Sequence, residues 1–390
     1  MKQRTGHIDL PLFFSVVALM LFSIGVVYSA SVDISRAHND GDYSVLFLNH
    51  AIRVALGLFA LGIGMFVDYH VYMKYSKVIL LLGIFFLVLT PFFGTTQLGA
   101  KRWLGYGPLK FQPSEFAKYA LVIHLSVLLS QKQKYIGSLK NGFLPLVVWI
   151  GAVVGLITFQ NNLSTVVVIT LISFMMMFIG RVRVRHMLGS AALALPAVLV
   201  YAVSKPYRLK RIMDYLSAPA DLADKVDMAK SQIEQAVIGL GNGGLFGVGV
   251  GMSKQRELFL PESYSDFIFA IVGEEYGFIG AVIILALFVV VMLRGMKIAK
   301  RATDDLGRFL AVGITCVIIV NTLLNAMVTT GLLPTTGLPM PLISYGGTSI
   351  LFTGFALGIL LNISMYTRIR PREVKADAEA PGPRVGEVYE

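Results

Sequence analysis

The sequence predicts an all-α integral membrane protein with about ten transmembrane helices and a long extracytoplasmic loop between the seventh and eighth. Three observations carry this. Of 390 residues, 55% are hydrophobic and 15% are charged, against roughly 25% charged in a soluble protein. Mean hydropathy is +0.70. Apolar runs repeatedly reach the ~20 residues that cross a bilayer. No polar stretch is long enough for a separate soluble domain, so residues 1–370 read as one polytopic domain. Residues 371–390, rich in Pro, Gly and Glu, read as a disordered cytoplasmic tail.

The expected spans are residues 10–30, 46–67, 77–93, 116–131, 143–158, 163–180, 187–203, 266–293, 308–330 and 342–366. The first is too long for a signal-peptide core and has no clean cleavage site after it, so it reads as a retained helix. The second carries Arg53, an intramembrane cation expected to neutralise an acid on a neighbouring helix. The fourth opens with Gln112-Pro113-Ser114-Glu115-Phe116-Ala117-Lys118, where Pro113 suits a helix start. Glu115 and Lys118 are three residues apart, on one helical face and within pairing reach. The pair reads either as structural or as facing a substrate. The eighth span opens at Asp266 and holds Glu274 and Glu275, read as structural or gating acids. In the ninth, Asn321 and Asn325 are expected to hydrogen-bond across helices. Before the tenth, the segment 331–349 contains Pro334, Pro339 and Pro341 among several glycines, which prevent regular helix. Irregular backbone at that depth lines a wet cavity or is covered by protein.

Alternate connections are cationic, with Lys74 and Lys77, Lys132 to Lys140, Arg181 to Arg185, and Arg294 to Arg308 in one set, joined by both termini. The positive-inside rule places that set in the cytoplasm. The opposite set holds Asp33, Asp40 and Asp42 and the two long connections, 94–115 and 204–265. The net charge of +11 does not point to nucleic acid, because most cations flank apolar segments and face anionic headgroups.

Within the 204–265 loop, Val226, Ala229, Ile233, Ala236, Val237 and Leu240 recur at helical spacing, as in an amphipathic helix on the outer leaflet. The glycine-rich run 239–251 follows. It reads either as a backbone cradle for phosphate or as a compact turn among helices. No Gly-Lys-Ser or Gly-Lys-Thr follows it, so nucleotide binding is not indicated. Lys101, Arg102, Lys205, Arg208, Lys210, Arg211, Lys254 and Arg256 surround these loops. Folded together, they make an anion site beside Asp266; apart, they are solvated charges near lipid.

Asp266 lies where a polar loop meets an apolar run. A carboxylate at that boundary is costly and more often functional than one on a soluble surface. The single cysteine, Cys316, excludes disulfides and cysteine-built metal sites. The six histidines show no metal-ligand spacing. No Gly-x-Ser-x-Gly is present, so a serine hydrolase is not indicated, and no inverted repeat favours a secondary transporter.

Four blocks together resemble the SEDS family (shape, elongation, division and sporulation) of polytopic peptidoglycan glycosyltransferases. They are Lys101-Arg102-Trp103 through Lys118, then Tyr207-Arg208-Leu209-Lys210-Arg211-Ile212, then the glycine run through Leu260-Pro261-Glu262 to Ala270, then Gly331-Leu332-Leu333-Pro334 to Ser344-Tyr345-Gly346-Gly347. The resemblance is stronger to the cell-division branch than to the elongation branch. One position departs from it: where the family often has an acid before the sixth span, Asn162 cannot carry charge.

The resemblance implies polymerisation of lipid II into glycan strands on the outer face of the bacterial cytoplasmic membrane, with both termini cytoplasmic. It implies Asp266 as general base, taking the proton of an attacking sugar hydroxyl. Desolvation beside apolar surface strengthens such a base. It implies substrate contacts from Lys101, Arg102, Trp103, Glu115, Lys118, Arg208, Lys210, Arg211 and Ser344, the cations stabilising a leaving diphosphate. A divalent cation, Mg2+ or Mn2+, is a possible helper, with no metal-ligating residue assigned. The expected partners are lipid II, undecaprenyl-diphosphate-linked glycan, a class B penicillin-binding transpeptidase, other division proteins and membrane lipid. The competing readings are a flippase of the lipid-linked precursor, the elongation polymerase, and a scaffold that recruits division proteins.

Overall fold

The structure, a computed structural model, describes residues 7–38, 42, 44–97, 100–105, 110–203, 213, 232–256, 260 and 263–367. Its helices in chain order are α1 (Leu10–His38), α2 (Val45–Phe66), α3 (Val71–Phe93), α4 (Pro113–Lys132), α5 (Leu144–Phe159), α6 (Leu163–Ile179), α7 (Val184–Val203), α8 (Gln232–Gly243), α9 (Ile268–Arg301), α10 (Asp305–Thr329) and α11 (Ser349–Tyr366). Between α3 and α4 two short strands, β1 (Thr95–Gln97) and β2 (Ala100–Trp103), pair antiparallel, with Thr96 opposite Lys101.

Each expected span falls on one of these helices. Among the described residues, seven helical segments are long and apolar enough to cross a membrane. The helices α4, α6 and α7 are not among them. For two of them the reason is plain: α4 carries Glu115, Lys118 and His124, and α6 has 17 residues. Several bounds also move. Helix α1 runs on to His38, α3 begins at Val71, and α9 extends to Arg301. Residues 342–348 lie outside helix, and Asp266 sits in the turn that precedes α9.

Helices and lipid meet through side chains such as Phe59, Phe66, Val78 and Phe92, all exposed. In a bilayer these are solvated by acyl chains, which cannot hydrogen-bond the backbone, so its polar groups must be satisfied inside the protein. Helices α2 and α11 come closest. Gly354 and Gly358, four apart on α11, face Gly57 and Gly64 of α2, where an added Cβ would strike backbone. Small residues at this spacing admit such close approach.

Helix α9 is broken at Gly277, whose φ is +69°. The glycine-rich segment fills the break. Phe278 and Ile279 N–H groups donate to the carbonyls of Gly244 (2.9 Å) and Leu245 (3.2 Å), while Val248 and Gly249 N–H groups donate to Glu274 (2.9 Å) and Glu275 (3.2 Å). Backbone groups freed by the break are thereby re-satisfied inside the protein. The expected amphipathic helix is seen as α8, shorter than predicted, since residues 226–231 lie outside the described set. It packs on α9, and its Ala236 joins Leu260, Phe267, Ala270 and Val328 in a small core. Ala236 is buried in that core, while Ile233, Val237 and Leu240 on the same face are half-buried.

At the end of the bundle that holds the 67–70 and 302–304 turns, Asp9 receives Arg294 in a bidentate pair (Nε at 2.8 Å, Nη2 at 2.5 Å). Tyr69 donates to Asp304 at 2.9 Å. These contacts tie α1, α3, α9 and α10 together far from Asp266.

Candidate active site

The opposite end of the bundle gathers four stretches outside the long helices: β2 and the described residues 104–105 and 110–112 after it, then 160–164, 263–267 and 331–348. Each is bonded to another. Arg102 donates from Nε to the Gln160 carbonyl at 3.5 Å and from Nη2 to that of Asn161. The Ser164 hydroxyl donates to the Thr336 carbonyl. Gln112 N–H donates to Thr348 Oγ1 at 3.1 Å, and an added Cβ at Gly347 would meet the Trp103 ring at 3.3 Å. Tyr345 N–H donates to the Tyr264 carbonyl at 2.9 Å. The 94–115 and 331–349 connections therefore meet, while Lys205, Arg208, Lys210 and Arg211 of the long loop lie outside the described residues.

Asp266 lies in one of these stretches, half-buried. Ser265 donates to its Oδ1 at 3.3 Å. Asn325 of α10 fixes the turn by donating to the Asp266 carbonyl at 2.7 Å and to that of Leu338 at 2.8 Å. Gly337 lies so close that an added Cβ would stand 3.3 Å from Asp266 Oδ2, and its φ is +69°, the left-handed region that favours glycine. The cross-helix role foreseen for the two asparagines belongs to Asn325 alone. Asn321 bonds its own helix, at the Val317 carbonyl (2.7 Å).

Glu115 and Lys118 form the foreseen pair, with Nζ at 2.8 and 2.9 Å from the two carboxylate oxygens and both side chains buried. Lys101 is exposed and donates to the Pro91 carbonyl at 3.3 Å. Ser344 is buried and its hydroxyl accepts from Met340 N–H at 2.8 Å, so it shapes the 340–344 turn. Arg208, Lys210 and Arg211 lie outside the described residues. Asn162, the departure from the family pattern, caps α6 by accepting from Thr165 N–H at 3.4 Å, a task that needs an acceptor oxygen and no charge.

The glycine-rich segment is packed against α9, and the two acids of that helix hold part of it. Glu274 accepts from Ser253, from Lys254 N–H (3.3 Å) and from Gln255 N–H (3.3 Å). Glu275 accepts from Gly251 N–H (3.1 Å) and from Ser29 of α1. The compact-turn reading is the one realised, and the two acids hold it. Their bonds match the structural reading given to these acids in the sequence. Among the described residues no three of His, Cys, Asp and Glu converge as metal ligands.

Fold and site together define a polytopic helical membrane protein with a carboxylate under interlocked loops and a buried ion pair beneath one of them. The chain belongs to the FtsW/RodA/SpoVE family, whose model, described as a cell cycle protein, matches residues 11–369. Among curated relatives, it is 36% identical over 374 residues to a probable peptidoglycan glycosyltransferase FtsW from Geobacter sp. (strain M18), covering 95% of this chain and 99% of that one. It is 38% identical to the stage V sporulation protein E of Bacillus subtilis (strain 168), covering 92% and 97%. A solved chain from work described as "Structural coordination of polymerization and crosslinking by a peptidoglycan synthase complex" superposes with a TM-score of 0.74 at 25% identity, covering 92% and 98%. The rod shape determining protein RodA of Thermus thermophilus shares the fold, with a TM-score of 0.68 at 24% identity over 92% and 97%.

Proposed function

We propose that this chain is a peptidoglycan glycosyltransferase of the cell-division branch. It polymerises lipid II on the outer face of the cytoplasmic membrane, with Asp266 as the general base. The observation that carries the reading is a half-buried carboxylate in one of four interlocked stretches of chain, with Gly337 of another beside it, in a chain of this family.

The chemistry asked of the site is one displacement. The 4-hydroxyl of a lipid-linked disaccharide attacks the anomeric carbon of a glycan chain carried on undecaprenyl diphosphate. As the new C–O bond forms, Asp266 receives the hydroxyl proton. The old anomeric C–O bond breaks, and undecaprenyl diphosphate leaves with the electron pair. One carboxylate with no nucleophilic partner suits this inverting course better than a two-step retaining one. Arg102 holds the 160–161 segment against the loop that carries Trp103, and so sets one wall of the site. Lys101 and, in the long loop, Arg208, Lys210 and Arg211 supply positive charge for the departing diphosphate. The Glu115–Lys118 pair lies at the start of α4, under the 100–112 wall.

The multi-pass fold agrees with a single-anchor class B penicillin-binding transpeptidase docking on the outer helices and loops. It also agrees with both termini in the cytoplasm, where the positive-inside rule puts them. The deciding experiment gives lipid II to the purified protein together with such a transpeptidase. Glycan polymer supports the reading. Transfer of lipid II across vesicles with no polymer formed would replace it with the flippase.

A further inference from the structure

Helix α2 carries two polar groups that the bundle leaves unsatisfied. Arg53 is half-buried, and its Nη1 is buried without a hydrogen-bond acceptor. It was expected to neutralise an acid. No carboxylate among the described residues pairs with it. Its guanidinium carbon lies instead 4.6 Å from the centroid of the Tyr345 ring. One turn earlier, His50 is fully buried, with its ring 5.8 Å from the same Tyr345 ring. Ser23 donates its only hydroxyl hydrogen to the Met20 carbonyl at 2.6 Å, so it accepts from His50 Nε2 at 3.0 Å. In the neutral ring Nδ1 then presents a lone pair, and it too has no partner.

Tyr345 connects this pair to the candidate active site. Its N–H bonds Tyr264, two residues before Asp266, and the Tyr264 and Tyr345 rings meet edge-on at 5.3 Å. A guanidinium inside a spanning helix is costly, and contact with one aromatic face recovers only part of that cost. A buried N–H with no acceptor adds to it. Among the described residues no anion supplies the partner this guanidinium lacks.

We propose that Arg53 is a phosphate-binding residue for the lipid-linked substrate, its fork held by Tyr345 and turned to a diphosphate oxygen, with His50 Nδ1 accepting from a water or hydroxyl beside it. The proposal rests on the glycosyltransferase reading and extends it inward from the loops. Arg53 is eight residues from the start of α2, about 12 Å along the helix. A diphosphate held there lies below Asp266's loops, with its prenyl chain in the bilayer. The planar fork matches two phosphate oxygens at once, which a lysine ammonium does not.

The test uses the full chain in lipid nanodiscs, with undecaprenyl diphosphate as probe and uncharged undecaprenol as control. Arg53→Gln weakens undecaprenyl diphosphate binding at least about tenfold, the loss of one charge-assisted contact, and leaves undecaprenol binding unchanged. Arg53→Lys falls between. Asp266→Asn binds like the parent yet forms no glycan. The parent protein also answers without any variant: undecaprenyl diphosphate slows phenylglyoxal modification of Arg53, read by peptide mass spectrometry, and undecaprenol does not. Equal modification with and without the diphosphate, or parent-like binding by Arg53→Gln, overturns the subsite. Either result leaves the enzymatic reading standing if the parent polymerises lipid II. A parent that makes no polymer with its transpeptidase sinks that reading instead.

Discussion

Asn325 donates both hydrogens of its side-chain amide across the loops, to the Asp266 carbonyl at 2.7 Å and to the Leu338 carbonyl at 2.8 Å. One residue of α10 thus fixes the turn that bears the acid to the loop that covers it. Packed helices deform little, so Asn325 ties the backbone of the Asp266 turn to the bundle.

Asp266→Asn removes the proton acceptor and keeps the shape. Polymer formation from lipid II is expected to fall by about 10²–10⁴-fold, the usual worth of a positioned base. The melting temperature stays that of the parent. Retained polymerisation by this variant would remove Asp266 from its role.

Asn325→Ala leaves two buried carbonyls without their donor, at a cost of about 1–3 kcal/mol each. The expected outcome is a lower melting temperature together with a fall in kcat larger than any change in KM, because the base is displaced and the substrate pocket remains. A variant with parent stability and parent kcat would show that the turn is held by other contacts.

Gly337→Ala tests the close approach to Asp266. The residue has φ +69°, and its new methyl would stand 3.3 Å from Oδ2 of the acid. Gly331→Ala is the control, since Gly331 has φ +76° and meets only Val237 and Ile233 methyls. Both variants bear backbone strain of about 1–2 kcal/mol. Only Gly337→Ala is expected to lose polymerisation beyond what its stability explains. Equal activities would deny the contact.

The Glu115–Lys118 pair is buried, so removing one member strands a charge. Glu115→Gln and Lys118→Met are each expected to destabilise by about 3–5 kcal/mol, and the double variant by less than either. A double-mutant cycle on melting temperature in micelles reads the coupling. Additive single effects would mean that the two residues act apart.

Glu274→Ala removes the acceptor that gathers Ser253, Lys254 and Gln255. Hydrogen exchange is expected to rise across 243–256 while α10 stays protected. Unchanged protection there would assign the loop's order to its backbone contacts with Gly277's neighbours.

The sequence determined the features that depend on near neighbours and on solvent. Lipid cannot hydrogen-bond a backbone, so long apolar runs must be helices, and the ten expected stretches all fall on them. Spacing along one helix placed Glu115 beside Lys118, and the change from polar to apolar chain singled out Asp266. Tertiary structure alone decided where the other polar groups are satisfied. Ser29 reaches Glu275 across 246 residues of chain, and Gln112 reaches Thr348 across 236. No local pattern encodes such a pairing, because which polar group finds which is fixed by how the helices assemble. The same holds for Arg53, whose neighbour proved to be the face of Tyr345 where an acid was expected.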